Sequence, residues 1–212
     1  MSEFLKANPE TYARAADILA KGGLVVLPTE TVYGLAGLAN NSAAINRIYD
    51  IKKRPRSKPL SAVIFSKKQA RQLGEISPLA QQLIDKFWPG PLTLVLPLKA
   101  NASIDDGALS GNKTVGIRFP DIAWVEAFEK AGLTDPLVLP SANTSGEPAP
   151  TTAAAARADI GDKVDLIIEA GLCQTGVEST IISVNNEDAK LLRIGAIAPE
   201  ELAMFPVEWA VK

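Results

Sequence analysis

The sequence predicts an α/β protein: one twisted sheet of mixed parallel and antiparallel strands with helices packed on it. Three observations carry that expectation. Short apolar runs of strand length, such as Leu24–Leu27 and Pro136–Pro140, alternate with stretches whose apolar residues recur at helical spacing. Strands with helices between them favour parallel pairing under helical cover, whereas the closer-spaced strands after residue 165 suggest antiparallel neighbours. A chain of 212 residues, 47% hydrophobic and 22% charged, has the composition of an ordinary globular domain. At that length it buries roughly 70% of the surface it would expose unfolded, enough for a core and an internal cavity. We expect one domain over residues 1–212, with four or five helices and about seven short strands.

The elements follow in order. Asn8-Pro9-Glu10 reads as a helix start, with a capping side chain, proline at the first position and an acid in the first turn. Tyr12, Ala15, Ala16 and Leu19 share one face, and Gly22-Gly23 stop the helix. Leu24–Leu27 is a continuous apolar strand of the kind covered on both faces. It ends at Pro28-Thr29-Glu30-Thr31-Val32-Tyr33-Gly34-Leu35, where ligands sit in open α/β sheets; Thr29 or Thr31 would equally cap the next turn. Ser42 is expected to cap a second helix, with Ile45, Ile48 and Tyr49 inward, running into the segment Lys52–Pro59. Ser61–Phe65 is a strand. Ser77-Pro78 starts a helix with Leu79, Leu83, Ile84 and Phe87 inward, and Trp88-Pro89-Gly90-Pro91 breaks it. Trp88 reads more readily as a plug under that turn than as a platform for a base.

Leu92–Leu98 is the next strand, and residues 99–113 a polar loop. Thr114–Phe119 alternates, with Thr114, Gly116 and Arg118 on one face and Val115, Ile117 and Phe119 on the other. On alternation alone Arg118 belongs on a solvent face; a carboxylate ligand in a cavity is the other reading. Asp121 is expected to cap a helix to about Ala131. Pro136–Pro140 is a strand ending in the polar run Ser141–Thr151, suited to close backbone approach to a phosphate or ribose and equally to an ordinary loop. Thr152 opens an alanine-rich helix. Asp165–Ala170 and Ser179–Val184 are strands joined by a loop over 171–178, Leu191–Gly195 is a short strand or turn carrying Arg193, and Pro199–Met204 is a brief helix.

Composition excludes several chemistries. There is no histidine and only one cysteine, Cys173, so Ser–His–Asp and Cys–His systems, histidine metal sites and an intrachain disulfide are all out. Cys173 reads as a small packed residue. No phosphate-binding P-loop, Rossmann glycine triplet or kinase set is present. The longest apolar runs fall far short of the ~20 residues of a membrane span. The N-terminus carries Glu3 and Glu10 with no export core, which makes the cytoplasm the default location.

A net charge of -2 argues against holding nucleic acid or anionic lipid by overall charge. Any anion must be met locally. Lys52-Lys53-Arg54-Pro55-Arg56-Ser57-Lys58-Pro59 packs five cations into seven residues, and its two prolines keep it out of a helix interior. It is either a solvated basic loop or a receptor for a polyanion, with Arg as a planar fork and Lys as a mobile point charge. Thr29–Thr31, Lys52–Lys58, Thr114 with Arg118, and Ser141–Asn143 all put polar groups at strand ends, and Ser179 and Arg193 could join them. Converging on one cavity, they would suit a triphosphate beside a small carboxylate. Residue physics alone stops there.

Six blocks extend the reading: Pro28–Leu35, Lys52–Leu60, Trp88–Thr93, Val115–Pro120, Pro140–Asn143 and Gly176–Thr180. In order and approximate spacing they resemble the YrdC/TsaC family of L-threonylcarbamoyladenylate synthases over about residues 10–200, in the short form without an extra C-terminal domain. The resemblance implies a single YrdC-like domain with a large concave cavity. It also implies a nucleotidyltransferase that makes threonylcarbamoyl-AMP and pyrophosphate from L-threonine, bicarbonate and ATP with phosphate-bound Mg²⁺. The product would serve threonylcarbamoyladenosine modification of tRNA through partner proteins of that machinery, with a weak direct tRNA contact. Carried over position by position, Thr29, Ser61, Arg118, the backbone near Leu139, and Ser179 would hold threonine, Arg118 on its carboxylate. Lys52, Arg56, Thr114, Ser141, Ala149 (through its main chain) and Arg193 would hold ATP, with Arg54, Ser57, Lys58 and Asn143 supporting the phosphates or the loop. Lys52 and Arg56 would be the catalytic cations. No metal-ligand set is implied and no general base is assigned; Glu30 is an outside candidate for that base, with a helical cap or salt bridge as its expected role. The alternatives are an RNA-binding protein of the same fold, for tRNA or double-stranded RNA without chemistry; a carbamoylating paralogue of hydrogenase maturation, whose cysteine-rich zinc fingers this chain lacks; and a fold relative with only residual adenylating activity, which the complete Lys52–Lys58 and Pro140–Asn143 blocks disfavour.

Overall fold

A computed structural model describes residues 2–186 and 188–209. Its strands are β1 (Glu3–Lys6), β2 (Val25–Leu27), β3 (Gly34–Leu38), β4 (Ala62–Val63), β5 (Leu92–Pro97), β6 (Thr114–Arg118), β7 (Leu137–Val138), β8 (Leu166–Glu169), β9 (Thr180–Asn185), β10 (Asp188–Arg193) and β11 (Val207–Trp209). They form one sheet in the order β1-β8-β2-β3-β7-β4-β6-β5-β9-β10-β11. Pairing is mixed: β2–β3, β3–β7, β4–β7, β5–β6 and β9–β10 are antiparallel, while β4–β6, β5–β9 and β2–β8 are parallel. The helices are α1 (Pro9–Ala20), α2 (Ser42–Ile51), α3 (Lys67–Leu73), α4 (Pro78–Phe87), α5 (Asp106–Leu109), α6 (Ala123–Lys130), α7 (Ala153–Ile160) and α8 (Pro199–Leu202). The α/β class with a mixed sheet is as the sequence predicts.

Local chemistry accounts for most boundaries. Asn8 Oδ1 accepts from Thr11 N at 2.9 Å while Thr11 Oγ1 accepts from Asn8 N at 3.0 Å, a reciprocal cap that starts α1. The helix is followed by Gly22 at φ +82, a left-handed position that glycine adopts without steric cost. Ser77 caps α4 and Thr152 caps α7 as expected. Two expected caps are wrong. Asn41, not Ser42, accepts from Ala44 N at 3.0 Å, and Ser42 is the first helical residue, its hydroxyl turned to Asp105. Asp121 does not cap α6, which begins after Ile122 with no side-chain cap. Strands β1, β3 and β11 and helices α3 and α5 were not expected. β3 reads GLAGL and is buried throughout, so it shows neither alternation nor β-branched enrichment.

Three apolar clusters fix the helices to the sheet. Leu19 of α1 packs with Trp124 and Phe128 of α6 and Phe65. Ile45 and Ile48 of α2 pack with Tyr33, Leu35 and with Ala153 and Ala156 of α7. Leu83 and Ile84 of α4 pack on Leu94, Ile117 and Ile182 from β5, β6 and β9. Each fully buried Leu or Ile contributes about 2 kcal/mol by leaving water. This last cluster occupies one face of the three strands. By the two-residue period, the opposite face carries Thr93 and Val95, then Thr114, Gly116 and Arg118, then Ile181. That face is the floor of a cavity.

Candidate functional site

The cavity has a volume of about 370 Å³, and its lining brings together β5, β6, β9, the basic loop after α2 and the segment after β7. Of the residues expected to hold ligands, it gathers Arg54, Lys58, Ser61, Thr114, Arg118, Leu139, Ser141, Ser179 and Arg193. Thr31, Thr93, Gly116 and Glu178 line it too, with Val63, Val95, Ile181 and Leu192 as apolar wall. A chain with an acidic balance thus turns four cations inward against one lining acid, Glu178, whose Oε1 is 3.0 Å from Arg193 Nη1.

Each wall has a local cause. On the sheet floor, Gly116 is required because a Cβ there would lie 2.5 Å from Ser61 Oγ. Arg118 sits opposite Thr93 on β5 and Val63 on β4. It is not on a solvent face: its side chain keeps only 11% of its exposure and its Nη2 is 2.8 Å from Oε1 of buried Glu30. Arg193 reaches the cavity because the β9–β10 register slips between Leu191 and Arg193, which sets Arg193 rather than Leu192 opposite Ile181. Its Nε and Nη2 donate to Ser179 O at 3.0 and 2.8 Å, and Ser179 Oγ lies 2.8 Å from Thr93 Oγ1.

The basic segment splits three ways. Lys52 is wholly buried, and its Nζ donates to Ser141 O and, at 2.6 Å, to Asn143 O, tying the end of α2 to the segment after β7. Burial, reinforced by the Arg54 guanidinium, pulls this ammonium down to about 8. Arg54 lines the cavity while donating to Lys58 O at 3.1 Å and Pro59 O at 2.9 Å, and burial lowers its pKa as well. Arg56 turns outward to Asn46 and, at 2.8 Å, to Asp50, with its guanidinium 4.8 Å from the Tyr49 ring centroid.

Six expected residues therefore stand outside the cavity lining. Lys52 is behind it, and Arg56 and Ser57 are on the exposed side of the loop. Thr29 is used up internally, accepting from Thr31 N and Val32 N at 3.1 Å each and donating to Val32 O at 2.6 Å, so Thr31 takes the place at the wall. Asn143 and Ala149 line a separate groove of about 600 Å³ with Glu147 and Thr151. Asn143 Nδ2 donates to Thr144 O and Glu147 O. Thr93 and Glu178 were missed as wall residues although both lie inside recognised blocks; Thr93 stands opposite Arg118 in the β5–β6 register, and Glu178 pairs with Arg193. Trp88 is a buried plug, its Nε1 donating to Leu92 O at 2.8 Å. Cys173 is buried in the α2–α7 cluster, where burial pushes its thiol up.

Comparison with known proteins gives the family and the fold. A family model named for Sua5, YciO and YrdC and described as telomere recombination matches residues 17–195. The threonylcarbamoyl-AMP synthase of Bacillus subtilis (strain 168) is 38% identical over 204 residues, covering 95% of this chain and 58% of its own length. The crystal structure of P. abyssi Sua5 complexed with L-threonine has a TM-score of 0.91 at 34% identity, covering 99% of this chain and 62% of that one. The crystal structure of E. coli YciO, at 23% identity and a TM-score of 0.82 over 92% of this chain and 96% of its own, shares the fold. This chain thus spans somewhat under two thirds of the first two.

Proposed function

The chain belongs to the Sua5/YciO/YrdC family, and from that premise we propose that it is a threonylcarbamoyl-AMP synthase, acting as one domain that transfers a nucleotidyl group. The observation that carries the proposal is the meeting of Arg118 with Arg54, Lys58, Arg193 and Ser141 in one hollow. Its size falls at the lower end of the roughly 300–1,000 Å³ usual for small-molecule sites. In this reading L-threonine lies over the sheet floor with its carboxylate on Arg118, flanked by Ser61, Thr31, Leu139 and Ser179. ATP lies toward Arg54, Lys58, Thr114, Ser141 and Arg193.

Threonine's amine attacks the carbon of bicarbonate, and water leaves to give the carbamate. A carbamate oxygen then attacks the α-phosphorus in line; the bond to the β-phosphate oxygen breaks and pyrophosphate departs. The residues supply alignment and neutralise phosphate charge rather than exchange protons, which suits a chain without histidine. Mg²⁺ would enter as part of the nucleotide substrate, carried on its phosphates. Lys52 acts from behind the wall by fixing the carbonyls at Ser141 and Asn143. Arg56, and with it Ser57, joins the phosphates only on leaving its outward position. Thr29 supports Thr31, while Asn143 and Ala149 bound the neighbouring groove at the nucleotide end.

Among the described residues no helix is long and apolar enough to cross a membrane. We place the protein in the cytoplasm, upstream of partner proteins that pass the group to tRNA. The test is incubation with ATP, labelled bicarbonate and each amino acid in turn. Threonine-dependent release of pyrophosphate with a labile labelled adenylate supports the proposal; equal release with every amino acid, or none, refutes it. Stabilisation by RNA alone, steeply salt-dependent, would instead favour the RNA-binding alternative.

A further inference from the structure

Behind the cavity floor lies an acid that the reaction scheme does not use. Glu30 is 5% exposed in a turn held from three sides. Trp124 Nε1 donates to Pro28 O at 2.7 Å, Tyr33 N donates to Pro150 O at 2.8 Å, and Thr175 N donates to the carbonyl of Glu30 itself at 3.0 Å. A turn so fixed delivers the carboxylate to one place. There Oε1 lies 2.8 Å from Arg118 Nη2 and 3.5 Å from Asp121 N.

The pairing is incomplete in a particular way. Among the described residues, Nε and Nη2 of Arg118 and Oε2 of Glu30 are buried without a hydrogen-bond partner. The Nη2–Oε1 contact is close in distance but lacks hydrogen-bond alignment. A purely structural buried pair would be expected to use the two-pronged Arg–carboxylate geometry and leave no atom over. Here one carboxylate lies against one terminal nitrogen, Nη2, and neither that nitrogen nor Nε is hydrogen-bonded in a side chain that lines the cavity. Glu30 is itself absent from the lining, so it meets a ligand only through Arg118.

We propose that Glu30 is the positioning residue for Arg118: it holds the guanidinium in place at the cavity wall and leaves hydrogen-bonding capacity for the carboxylate of the amino-acid substrate. The inference rests on the amino-acid reading of the cavity. It assigns Glu30 no proton transfer.

The test measures L-threonine and ATP binding separately, by calorimetry, on the wild type and on Glu30→Gln, Glu30→Asp, Arg118→Ala and the Glu30→Gln/Arg118→Ala double variant. Glu30→Gln keeps the shape and removes the charge. It should weaken threonine roughly 10- to 100-fold, the worth of a charge-assisted hydrogen bond, and leave ATP affinity within about twofold. Glu30→Asp keeps the charge and should recover most of the loss. Adding Glu30→Gln to Arg118→Ala should cost nothing further in threonine affinity. Turnover at saturating threonine should stay within about threefold of wild type, because a lost general base would lower it by roughly 10² or more. Unchanged threonine affinity in Glu30→Gln overturns the inference, as do equal losses in Glu30→Gln and Glu30→Asp or parallel losses for threonine and ATP. If Glu30→Gln does not fold, as the absence of a cooperative thermal transition by circular dichroism would reveal, Glu30→Asp decides: threonine affinity near wild type supports the inference and its loss overturns it. A wild-type protein that binds ATP but no amino acid removes the underlying reading as well.

Discussion

The two walls of the cavity are built by different means. On the sheet wall, Arg118 and Arg193 project from strands whose pleat and register fix their direction, and each has a partner from another element: Glu30 for Arg118, Ser179 and Glu178 for Arg193. On the loop wall, the cations after α2 are claimed by whatever polar group is nearest. Arg54 is held by carbonyls of its own loop, Lys52 by carbonyls across the cavity's back, and Arg56 by Asp50 outside. The difference teaches that the cations of the sheet, Arg118 proposed for the amino acid and Arg193 for the nucleotide, are set in advance, while those of the loop keep part of their charge engaged elsewhere.

The sheet wall is where a single truncation should do most damage. Arg118→Ala would leave Glu30 buried without its counter-charge, which costs about 3 kcal/mol or more. A urea titration should show a lower midpoint with an unchanged slope. On the proposed function the threonine KM should rise roughly 100-fold or more, as expected for a desolvated charge pair, and the ATP KM should stay within about twofold. An equal rise in both would mean that Arg118 does not serve threonine alone.

Lys52→Met probes the loop wall where it is buried. The variant loses the donors to Ser141 O and Asn143 O; Ser141 O keeps Asn143 N at 3.0 Å, so the cost is about 1–3 kcal/mol for the one buried acceptor left unpaired. It also separates charge from shape. The folded-state pKa of Lys52, about 8, lies below its ordinary value of 10.5. Between those two values the unfolded chain binds more protons at this site, so the site's contribution to stability rises with pH across that window. Below pH 8 both states are protonated and the penalty for burying the ammonium is present in full. The midpoint difference between wild type and Lys52→Met should therefore widen in favour of wild type from pH 8 toward 10.5. A constant difference would show that the ammonium is not held at a lowered pKa.

The sheet wall and the loop wall also differ in how legible they were in the sequence. Alternation in Thr114–Phe119 put Thr114, Gly116 and Arg118 on one face, as found, but it could not say that the face was covered. Arg118 read as solvent-facing because burial depends on Glu30, distant in the chain, arriving beneath it. The basic cluster was plain as a cluster and opaque in its outcome: Lys52 went inside, Arg56 went outside, and nothing in five closely spaced cations distinguishes them before α2 ends and its last turn presents Asp50. Thr29 and Thr31 carry the same hydroxyl two residues apart, and only the turn they close decides which is consumed internally. The slip in β10 that brings Arg193 inward has no glycine or proline to announce it. What was readable depended on local period and capping; what was not depended on contacts between distant elements.

The smallest effect belongs to Arg56. Its pair with Asp50 is exposed on both sides, at 51% and 74%, and such pairs contribute about 0–1 kcal/mol. If a triphosphate draws Arg56 inward, that contribution opposes binding, and Asp50→Asn removes the competitor without touching the cavity. The expected result is a melting temperature within error of wild type and an ATP KM lowered roughly two- to threefold, the equivalent of about half a kcal/mol. Because the competing pair is exposed, raising the salt to about 0.5 M should shrink the difference between the two proteins. Arg56→Ala should raise the ATP KM instead, and the Asp50→Asn change should then have no further effect. If Asp50→Asn leaves ATP binding untouched at every ionic strength, Arg56 stays outside throughout, and the loop wall is as fixed as the sheet wall it faces.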